Sequence, residues 1–395
     1  MPAPLSDVAG GAPGGAPGGA AASPVAGGGD TLARRVIAWQ AAHGRHGLPW
    51  QGTRDPYRVW LSEIMLQQTQ VGTVLGYYER FLARFPDVAT LAAAELDEVL
   101  ALWSGLGYYS RARNLHRCAV EVVARYGGRF PSDSAALQTL PGIGRSTAAA
   151  IAAFCFAERA AILDGNVKRV LARALGFEGD LTERRHELAL WERAQALLPE
   201  QGIEGYTQGL MDLGAQVCTR RQPRCAPCPL GSLCVARATG RAEALPIKTR
   251  RVRRGRLASA LLWLTHRDAV WLVQRPARGV WAGLWSLPEW PVAREVAAPE
   301  RAGEPMALAA VSPPAGVHWP GEGRWLPPFV HVLTHRDWTL QPLRWTWPDT
   351  LDAAEHERLT QALYATEGLG PGRWWTLPEA LALGLPAPVR RLLSG

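Results

Sequence analysis

The chain has 395 residues, a hydrophobic content of 47% and a formal net charge of +8. This length suits two domains and the apolar content is ample for two cores, which excludes a peptide-like module. The positive charge favours a polyanionic partner, either a nucleic acid or an anionic membrane surface. No run of about 18 apolar residues occurs, so no membrane span is expected. Six cysteines without an export signal indicate a reducing compartment, and we expect a cytoplasmic location.

Residues 1–29 are repeats of Ala, Gly and Pro with almost no charge. Such a segment cannot bury a core, and we expect it to be a disordered tail. From residue 30 to 246 the apolar residues follow the helical period, with short interruptions at Gly and Pro, which predicts an all-α domain.

One long helix of this domain is predicted from Val59 to Tyr78. Along it, Glu63, Gln67 and Gln70 form a polar stripe that points away from the apolar face. A solvated surface would explain this stripe. The two amides are also suited to reading base edges or filling space in an opened duplex.

A glycine-rich segment, Trp103–Asn114, carries two adjacent tyrosines and two arginines. The glycines predict a loop and the tyrosines offer flat faces for base stacking, while Arg111 and Arg113 are candidates for phosphate contacts. Adjacent tyrosines usually divide between core and surface. At most one of the two is therefore expected to enter DNA.

The segment Leu140–Thr147 contains a proline and two glycines, Gly142 and Gly144, and leads into a helix of small residues predicted over Ser146–Phe156. These residues predict a tight turn between two helices. Backbone N–H groups at the start of such a helix can bind a phosphate with no side chain in the way. An ordinary helix–helix turn is the alternative for this motif taken alone.

Asp164 precedes another predicted helix, Val167–Leu175. Its ordinary role would be that of a helix N-cap, since Asp is common there. Held near a phosphate-binding turn, the same carboxylate could instead face positive charge that develops on a sugar. The residues alone leave both roles open.

Four cysteines follow the spacing C-x6-C-x2-C-x5-C within seventeen residues. They are Cys218, Cys225, Cys228 and Cys234. Structural zinc is one group that they could hold, but zinc ligands usually come as two separated close pairs, whereas one compact loop suits a cubane iron–sulfur cluster. Arg220, Arg221 and Arg224 lie in the same loop and predict a basic surface. Cys118 and Cys155 fall in helical patterns and are predicted to be core residues.

Residues 247–256 form a basic linker without a core pattern, which predicts a solvated connection, a DNA contact, or both. From residue 257 to 395 a period of two dominates, so we expect a separate α+β domain. Strands are predicted at Leu257–Thr265, Val270–Gln274, Phe329–Thr334 and Trp338–Trp345, and a terminal helix from Trp374 onward. The tetrapeptide Thr-His-Arg-Asp occurs at 265–268 and at 334–337, and each copy is predicted to lie at a strand turn.

Two blocks, Leu61–Gln70 and Trp103–Asn114, closely resemble MutY-type adenine DNA glycosylases of the helix-hairpin-helix endonuclease III superfamily. The hairpin followed by Asp164 resembles the same enzymes. The resemblance implies hydrolysis of the N-glycosidic bond of a flipped adenine during base excision repair. It also implies that Glu63 protonates N7 of the adenine, that Asp164 faces the sugar and that Asn166 orients Asp164. The candidate DNA-binding residues of this region are Gln67, Gln68, Tyr108, Arg111, Gly142, Gly144 and Ser146.

The cysteine spacing also occurs in endonuclease III and MutY relatives, where it holds a [4Fe–4S] cluster, so the resemblance implies this cofactor. Gly283–Pro288 resembles the Nudix-like C-terminal domain of MutY proteins. Arg294–Val296 begins like the magnesium-binding helix of Nudix hydrolases, but Ala298 and Pro299 stand where glutamates would belong. Pyrophosphate hydrolysis is therefore not expected.

MutY relatives read 8-oxoguanine with a Phe-Ser-His loop, and the aligned residues here are Leu333, Thr334 and His335. Thr334 retains a hydroxyl that can form a hydrogen bond with N7–H or O8 of the lesion, and His335 retains a hydrogen-bond donor. Leu333 departs from the pattern because it lacks an aromatic face. A hairpin turn in which Thr334 and His335 bond only the local backbone is the alternative interpretation.

The resemblance covers roughly residues 31 to 390 and implies a monomer, located at the bacterial nucleoid, that acts on double-stranded DNA with adenine opposite 8-oxoguanine or guanine. In the endonuclease III family a lysine after the hairpin attacks the sugar and cuts the strand. Ser146 stands in its place, so we expect a monofunctional glycosylase.

An endonuclease III-like glycosylase-lyase for oxidised pyrimidines is the nearest alternative. A non-catalytic iron–sulfur DNA-binding module is another, but it would not need Glu63 and Asp164 together.

Overall fold

The computed structural model describes residues 28–250, 254–290, 319–366, 369 and 371–395. The tail predicted up to residue 29 falls mostly outside this range, as do residues 251–253 of the predicted linker and residues 294–299, compared above with the Nudix helix. In the part of the chain that is described, no helix is both long and apolar enough to span a membrane.

The first part of the chain folds into helices joined by short turns. Their bounds are α1 Gly28–His43, α2 Pro56–Leu66, α3 Val71–Arg84, α4 Val88–Ala93, α5 Leu96–Trp103, α6 Ser110–Tyr126, α7 Ser134–Leu137, α8 Arg145–Phe156, α9 Gly165–Ala174, α10 Arg184–Ala196, α11 Ile203–Asp212 and α12 Val235–Ala238. A π-helical turn, Leu213–Val217, continues α11. The predicted all-α character of this region is confirmed.

Two apolar cores share the central helix α8. Five of its twelve residues are alanine, so neighbouring helices can approach its backbone from both sides. Ala148 and Ala152 belong to a core built around α2 to α6, whereas Ala149 and Ala153 belong to a core with α1, α9, α10 and α11. The helix that follows the predicted hairpin is thereby fixed at the centre of the domain.

The helix predicted from Val59 to Tyr78 is interrupted, and that prediction was wrong. Helices α2 and α3 are separated by residues 67–70. Gln68 adopts a left-handed φ of 58°, a conformation that ends a right-handed helix. Gln70 therefore does not lie on one helical face with Glu63, and the predicted polar stripe is not formed.

The end of α2 is fixed by Arg111, which reaches it from α6. The Arg111 guanidinium donates to the backbone oxygens of Ile64 and Met65, both at 2.8 Å, and so satisfies the last carbonyls of α2. Its other acceptors are the hydroxyl of Thr69 and the carbonyls of Leu106 and Gly107. Arg111 is only 8% exposed. Its predicted contact with a DNA phosphate must be corrected, because the guanidinium is buried and bonded inside the protein.

The C-terminal part of the described chain contains one mixed sheet. Its strands are β1 Gly255–His266, β2 Ala269–Gln274, β3 Trp285–Ser286, β4 Glu289–Trp290, β5 Glu322–Trp325, β6 Phe329–Val332, β7 Arg336–Trp347 and β8 Gly372–Thr376. The main path runs β3-β2-β1-β7-β5, with β1 and β7 parallel and paired along their whole length. Helices α13 Ala353–Ala365, α14 Leu377–Ala382 and α15 Ala387–Leu393 complete this α+β unit, which confirms the predicted class.

The structure of this domain confirms one prediction from the sequence and contradicts another. Both Thr-His-Arg-Asp copies lie at strand turns, one between β1 and β2 and one between β6 and β7, as predicted. The terminal helix predicted from Trp374 onward was wrong at its start, because Trp374 pairs with Trp271 of β2 within β8. Trp374 also packs edge-on against the buried Trp271 ring, and this packing favours a strand.

The two folded parts pack directly on one another. The Asp97 carboxylate of α5 accepts hydrogen bonds from the Gln274 side chain at 3.1 Å and from the Trp285 ring nitrogen at 3.2 Å. The apolar core around α5 and α6 continues into Leu385 and Val389 of the C-terminal domain. The β-sheet is therefore anchored on the helices that precede and follow the Tyr-Tyr turn.

The start of the predicted linker is packed rather than free. The backbone N–H of Leu181 donates to the Ile247 carbonyl at 3.0 Å. The Thr249 hydroxyl bonds the Asp180 carboxylate, and this bond, with one from the Thr182 backbone, lowers the pKa of Asp180 to about 2. The basic linker is thus tied to the helical domain at its first residues.

Candidate active site and nucleic-acid interface

A cavity of about 650 Å³ lies between α2, α11 and the chain from Arg45 to Arg54. Glu63 of α2 and Phe154 of α8 are part of its wall. Its polar lining includes Gln40, Arg45, Gln51, Arg54, Glu204 and Gln208. The space is larger than a purine base, so it can accept a nucleotide base that has left the helix.

Glu63 is held in this wall as an acid rather than a carboxylate. Burial raises its pKa from 4.5 to about 8, and the negative charge of Asp164 adds to the rise. The carboxyl is therefore mostly protonated at neutral pH. This is the state from which a side chain can donate a proton to a base.

Asp164 is the N-cap of α9, so the ordinary role that the sequence left open is confirmed. Its carboxylate accepts the backbone N–H of Val167 at 2.8 Å. Burial raises the pKa of Asp164, whereas hydrogen bonds from the backbone of Val167 and Asn166 lower it. The positive charges of Arg169 and Lys168 act in the same direction as these bonds. Capping bonds favour the charged carboxylate, so the cap does not exclude a second, electrostatic role.

Asn166 was expected to orient Asp164. Its backbone N–H does face that carboxylate, but its side-chain oxygen accepts a hydrogen bond from Arg169 at 2.9 Å. The orienting contact with Asp164 thus comes from the main chain. Lys168, two residues further along α9, forms an ion pair with Glu187 of α10.

The predicted hairpin lies between α7 and α8. Gly142 adopts a φ of +78°, and a Cβ at this position would lie 2.7 Å from the Cβ of Asn114. Only glycine fits both requirements. Gly144 is the N-cap of α8, and the Ser146 hydroxyl accepts the backbone N–H of Leu163 at 3.1 Å. Ser146 therefore joins the hairpin to the segment that leads into Asp164.

A smaller cavity of about 260 Å³ lies beside the hairpin. Its lining contains predicted DNA-binding residues from three separate stretches of the chain: Gln67 and Gln68, Tyr108 and Arg111, and Gly142. The Gln67 amide donates to the Thr147 hydroxyl at 3.3 Å, which connects the end of α2 with α8. Helix α2 lines both cavities, the smaller through Ile64 and the larger through Glu63.

The Tyr-Tyr turn divides its two rings as predicted. Tyr109 is buried, whereas Tyr108 is 44% exposed. Tyr108 also has a left-handed φ of 49°, which costs roughly 1–2 kcal/mol for a residue with a Cβ. Its hydroxyl lies 2.9 Å from the Thr334 hydroxyl of the C-terminal domain. Two candidates that are 226 residues apart are therefore in direct contact.

Thr334 and His335 form an exposed two-residue turn between β6 and β7. The backbone N–H of Leu333 closes it by donating to the Arg336 carbonyl at 2.8 Å. Leu333 itself packs against the apolar core. The turn thus exposes its two polar residues, and Thr334 is the one that contacts Tyr108.

The four clustered cysteines lie between α11 and α12 and are all partly buried. Arg173, at the end of α9, donates to the Cys218 sulfur at 3.4 Å and accepts through its carbonyl from the Cys234 sulfur at 3.4 Å. The first and last cysteines of the motif are thereby held against one helix. Cys118 and Cys155 are buried in the core, as predicted.

The four thiols are close enough to influence one another. Burial raises the pKa of Cys228 to about 11, and Cys218, Cys234 and Cys225 raise it further through their negative charge. No group of three or more His, Cys, Asp or Glu among the described residues converges closely enough to hold a single metal ion. An all-thiol donor set on one loop fits an iron–sulfur cluster, whose irons each take a different thiolate. Arg220, Arg221 and Arg224 are exposed on this loop.

Sequence reasoning missed one polar network in the wall of the larger cavity. Asp212 is fully buried and accepts from the Arg45 backbone at 2.9 Å, from the Arg45 guanidinium at 2.6 Å and from the Gln208 amide at 2.9 Å. Arg45 and Asp212 are 167 residues apart, so no local pattern joins them. The spacing of Gln208 and Asp212 by four residues on α11 was the available signal.

Both parts of the chain are similar in sequence to known proteins. Residues 61–196 match the HhH-GPD superfamily of base excision DNA repair proteins, and residues 259–395 match the NUDIX domain. An adenine DNA glycosylase from Buchnera aphidicola subsp. Acyrthosiphon pisum (strain APS) is 38% identical over 259 residues, 66% of this chain and 74% of that protein. The adenine DNA glycosylase of Homo sapiens is 43% identical over 211 residues, 51% of this chain and 38% of that protein. A solved thermostable thymine-DNA glycosylase is 30% identical, with a TM-score of 0.48, over 53% of this chain and 97% of that chain.

A glycine turn that starts the central helix, next to two carboxyls and a base-sized cavity, is the arrangement of a helix-hairpin-helix base excision DNA repair protein. The relatives narrow this class further. Since the Buchnera enzyme matches over most of its length, the chain belongs to the adenine DNA glycosylase family. The NUDIX match agrees with the α+β domain observed after residue 254, and the family resemblance predicted from the sequence is confirmed.

Proposed function

We propose that the protein hydrolyses the N-glycosidic bond of adenine opposite 8-oxoguanine or guanine in duplex DNA. The observation that carries this proposal is Glu63, which holds a proton at neutral pH in the wall of a base-sized cavity. Enzymes of this family are named for release of adenine, and base excision is the role of the matching superfamily. As an enzyme of chromosomal DNA, the protein would work as a monomer at the bacterial nucleoid.

Glu63 and Asp164 divide the chemistry between them. Adenine is a poor leaving group until a ring nitrogen is protonated, so Glu63 donates its proton to N7 of the flipped base and afterwards helps to activate water. Asp164 stays ionised and stabilises the positive charge on the sugar as the bond breaks. The backbone N–H of Asn166 and of Val167 holds this carboxylate in place.

The proposed enzyme does not cut the strand. A lyase attacks the sugar with an amine to form a Schiff base, and the residue after the hairpin here is Ser146, which cannot form one. The nearby amine of Lys168 is engaged with Glu187. These contacts support a monofunctional glycosylase over the endonuclease III-like alternative.

The C-terminal domain is proposed to read the base opposite the adenine. Thr334 and His335 are exposed on a turn that touches Tyr108, the proposed inserted residue. The Thr334 hydroxyl can accept N7–H of 8-oxoguanine, a donor that guanine lacks at this position. Since Leu333 packs into the core, stacking on the lesion is left to Tyr108.

Cys218, Cys225, Cys228 and Cys234 are proposed to hold [4Fe–4S]. When bound, the cluster supplies no bond-breaking chemistry, but it folds the loop into a rigid surface. The exposed arginines of that loop would then meet the DNA backbone. The all-thiol set and the two contacts of Arg173 with the first and last cysteines support this assignment.

Single-turnover cleavage of three duplexes tests the proposed function. They carry adenine opposite 8-oxoguanine, adenine opposite guanine, or an oxidised pyrimidine. We expect fast release from the first, slower release from the second and none from the third, with strand breaks only after alkali. Preferred cleavage of the oxidised pyrimidine with coupled strand breaks would select the lyase instead. Specific binding without any base release would select a non-catalytic module.

A further inference from the structure

The turn that carries Tyr108, residues 104–109, is built from unusual backbone conformations. Gly105, Gly107 and Tyr108 have φ values of 103°, 74° and 49°. Glycine adopts such φ values freely, so Gly105 and Gly107 suit the turn, whereas Tyr108 adopts its conformation only under strain. Such a turn keeps its shape only where surrounding contacts hold it.

The helical domain supplies some of those contacts, since Tyr77, Trp103 and Arg111 donate to backbone oxygens of the turn. The C-terminal domain supplies others through one segment, residues 381–390. The Leu385 carbonyl accepts two hydrogen bonds from the turn, from the Ser104 hydroxyl at 2.7 Å and from the Tyr109 hydroxyl at 3.2 Å. Arg390 donates to the Ser104 hydroxyl at 3.3 Å. The same guanidinium binds two carbonyls of its own segment, those of Leu381 at 2.6 Å and Leu383 at 2.9 Å. One arginine thus fastens this segment to itself and to the turn.

The fit between the two parts is close at the backbone level. A Cβ added at Gly384 would lie 3.0 Å from the Cβ of Leu100 and 3.2 Å from the backbone nitrogen of Ala101. Leu100 and Ala101 belong to α5, the helix that leads into the turn. On its other side, the Gly384 carbonyl accepts the backbone N–H of Trp285 at 3.0 Å. Segment 381–390 is therefore fixed between the β-sheet and α5.

We propose that residues 381–390 brace the Tyr108 turn in the shape that enters DNA, so that insertion depends on the C-terminal domain whatever base faces the adenine. This rests on the proposed function, in which Tyr108 is the inserted residue. Ser104 and Arg390 act as positioning residues and touch no substrate. The brace is distinct from lesion reading, since Thr334 lies on a different turn, between β6 and β7.

Two variants of the full-length protein test the brace. Ser104→Ala removes the hydroxyl that joins Leu385 and Arg390, and Gly384→Ala adds a Cβ in tight contact with α5, so that the segment must shift by a few tenths of an ångström relative to that helix. The matched control is Arg391→Ala, an exposed neighbour on α15. Binding is measured to duplexes that carry a non-cleavable adenine analogue opposite 8-oxoguanine or guanine. Fluorescence of a 2-aminopurine beside the target reports unstacking by the inserted ring.

We expect both variants to bind each duplex about three- to ten-fold more weakly, with the ratio between the two duplexes unchanged, and to give a smaller 2-aminopurine signal at saturation. Arg391→Ala should behave as the parent. Parental binding and fluorescence in folded Ser104→Ala and Gly384→Ala would overturn the proposal. So would a loss confined to the 8-oxoguanine duplex, since the contacts would then serve lesion reading. Failure of the parent to release adenine would refute the proposed function, while these binding and fluorescence measurements would still decide the brace.

Discussion

Burial raises the pKa of two carboxyl groups in the same region, but the other groups around them differ. Glu63 lies in a cavity wall, where burial and the charge of Asp164 favour the neutral acid. Asp164 lies at the N-terminus of α9, where burial raises the pKa of the carboxyl, while backbone N–H groups and the charges of Arg169 and Lys168 act in the opposite direction and favour the carboxylate. These two environments support the proposed division of tasks, in which Glu63 donates the proton and Asp164 stabilises the positive charge.

The raised pKa of Glu63 predicts a pH-dependent stability. The pKa is about 8 in the folded protein and near 4.5 in the unfolded chain, so the folded state holds this proton more tightly between those values. The stability that this bound proton contributes to the folded state is complete below pH 4.5 and is lost as the pH rises to about 8. Glu63→Gln carries no such proton. Its melting temperature should match the parent at pH 5 and exceed it at pH 8.5, measured by thermal unfolding across this range. A difference that stayed constant with pH would contradict the raised pKa.

At the scale of secondary-structure elements, the break between α2 and α3 determines where the residues proposed to contact DNA lie. Because Arg111 ends α2, the chain turns at Gln67 and Gln68 and brings both amides beside the hairpin and Tyr108. Had the helix continued, the two amides would have stayed on its surface. A buried arginine thus fixes the position of the two amides that we propose contact DNA.

Arg111→Gln tests this structural role. The change leaves several buried carbonyls without a charged donor, so we expect the free energy of unfolding to fall by about 2–3 kcal/mol, measured by urea denaturation. Arg220→Gln, on the exposed loop, is the matched control: stability should be kept, and the slope of log binding constant against log salt should fall by about 1. An Arg111 variant with parental stability and the reduced salt slope would restore the phosphate contact predicted from the sequence.

The turn between β6 and β7 carries the proposed discrimination of 8-oxoguanine from guanine. A hydrogen bond used for base discrimination is worth about 1–3 kcal/mol, so Thr334→Ala with His335→Ala should narrow the preference by roughly ten-fold or more. Single-turnover rates on the two duplexes measure it. Thr265→Ala, in the same tetrapeptide at the β1–β2 turn, should leave the preference unchanged. If the double variant discriminates like the parent, lesion reading belongs elsewhere, with Tyr108 and Gln67 the first candidates.

Local patterns predicted the elements whose causes are local. The helix after the hairpin and both Thr-His-Arg-Asp turns follow from residues that are neighbours in sequence, as does the capping role of Asp164, one of the two roles that the sequence left open. The predictions that were wrong concern features whose causes lie far away in the sequence. Arg111 ends α2 from another helix, and the Trp271 ring packs on Trp374 and favours a strand where the local sequence indicated a helix. The cavity wall around Asp212 was missed for the same reason.

At the scale of the whole molecule, the cysteine loop lies at the far end of the helix that Asp164 caps. Arg173 of α9 contacts both Cys218 and Cys234, so a folded loop and the position of α9 depend on each other. We expect the purified protein to be yellow-brown, with about four irons per chain and broad visible absorbance. Iron analysis and absorbance of anaerobically prepared protein check this. Stoichiometric zinc without iron would contradict the cluster.

The proposed roles of Glu63 and Asp164 are tested most directly by the single-turnover rate of adenine release opposite 8-oxoguanine. The rate is measured at pH 7 for the parent, Glu63→Gln and Asp164→Asn. The glutamine variant has no acidic proton to donate and the asparagine variant has no charge to offer. Each rate should therefore fall by roughly two to four powers of ten, while binding to a non-cleavable duplex stays within a few-fold of the parent. Near-parental release by either variant would remove that residue from the mechanism. Near-parental release by both would mean that the cavity beside α2 is not where the glycosidic bond is broken.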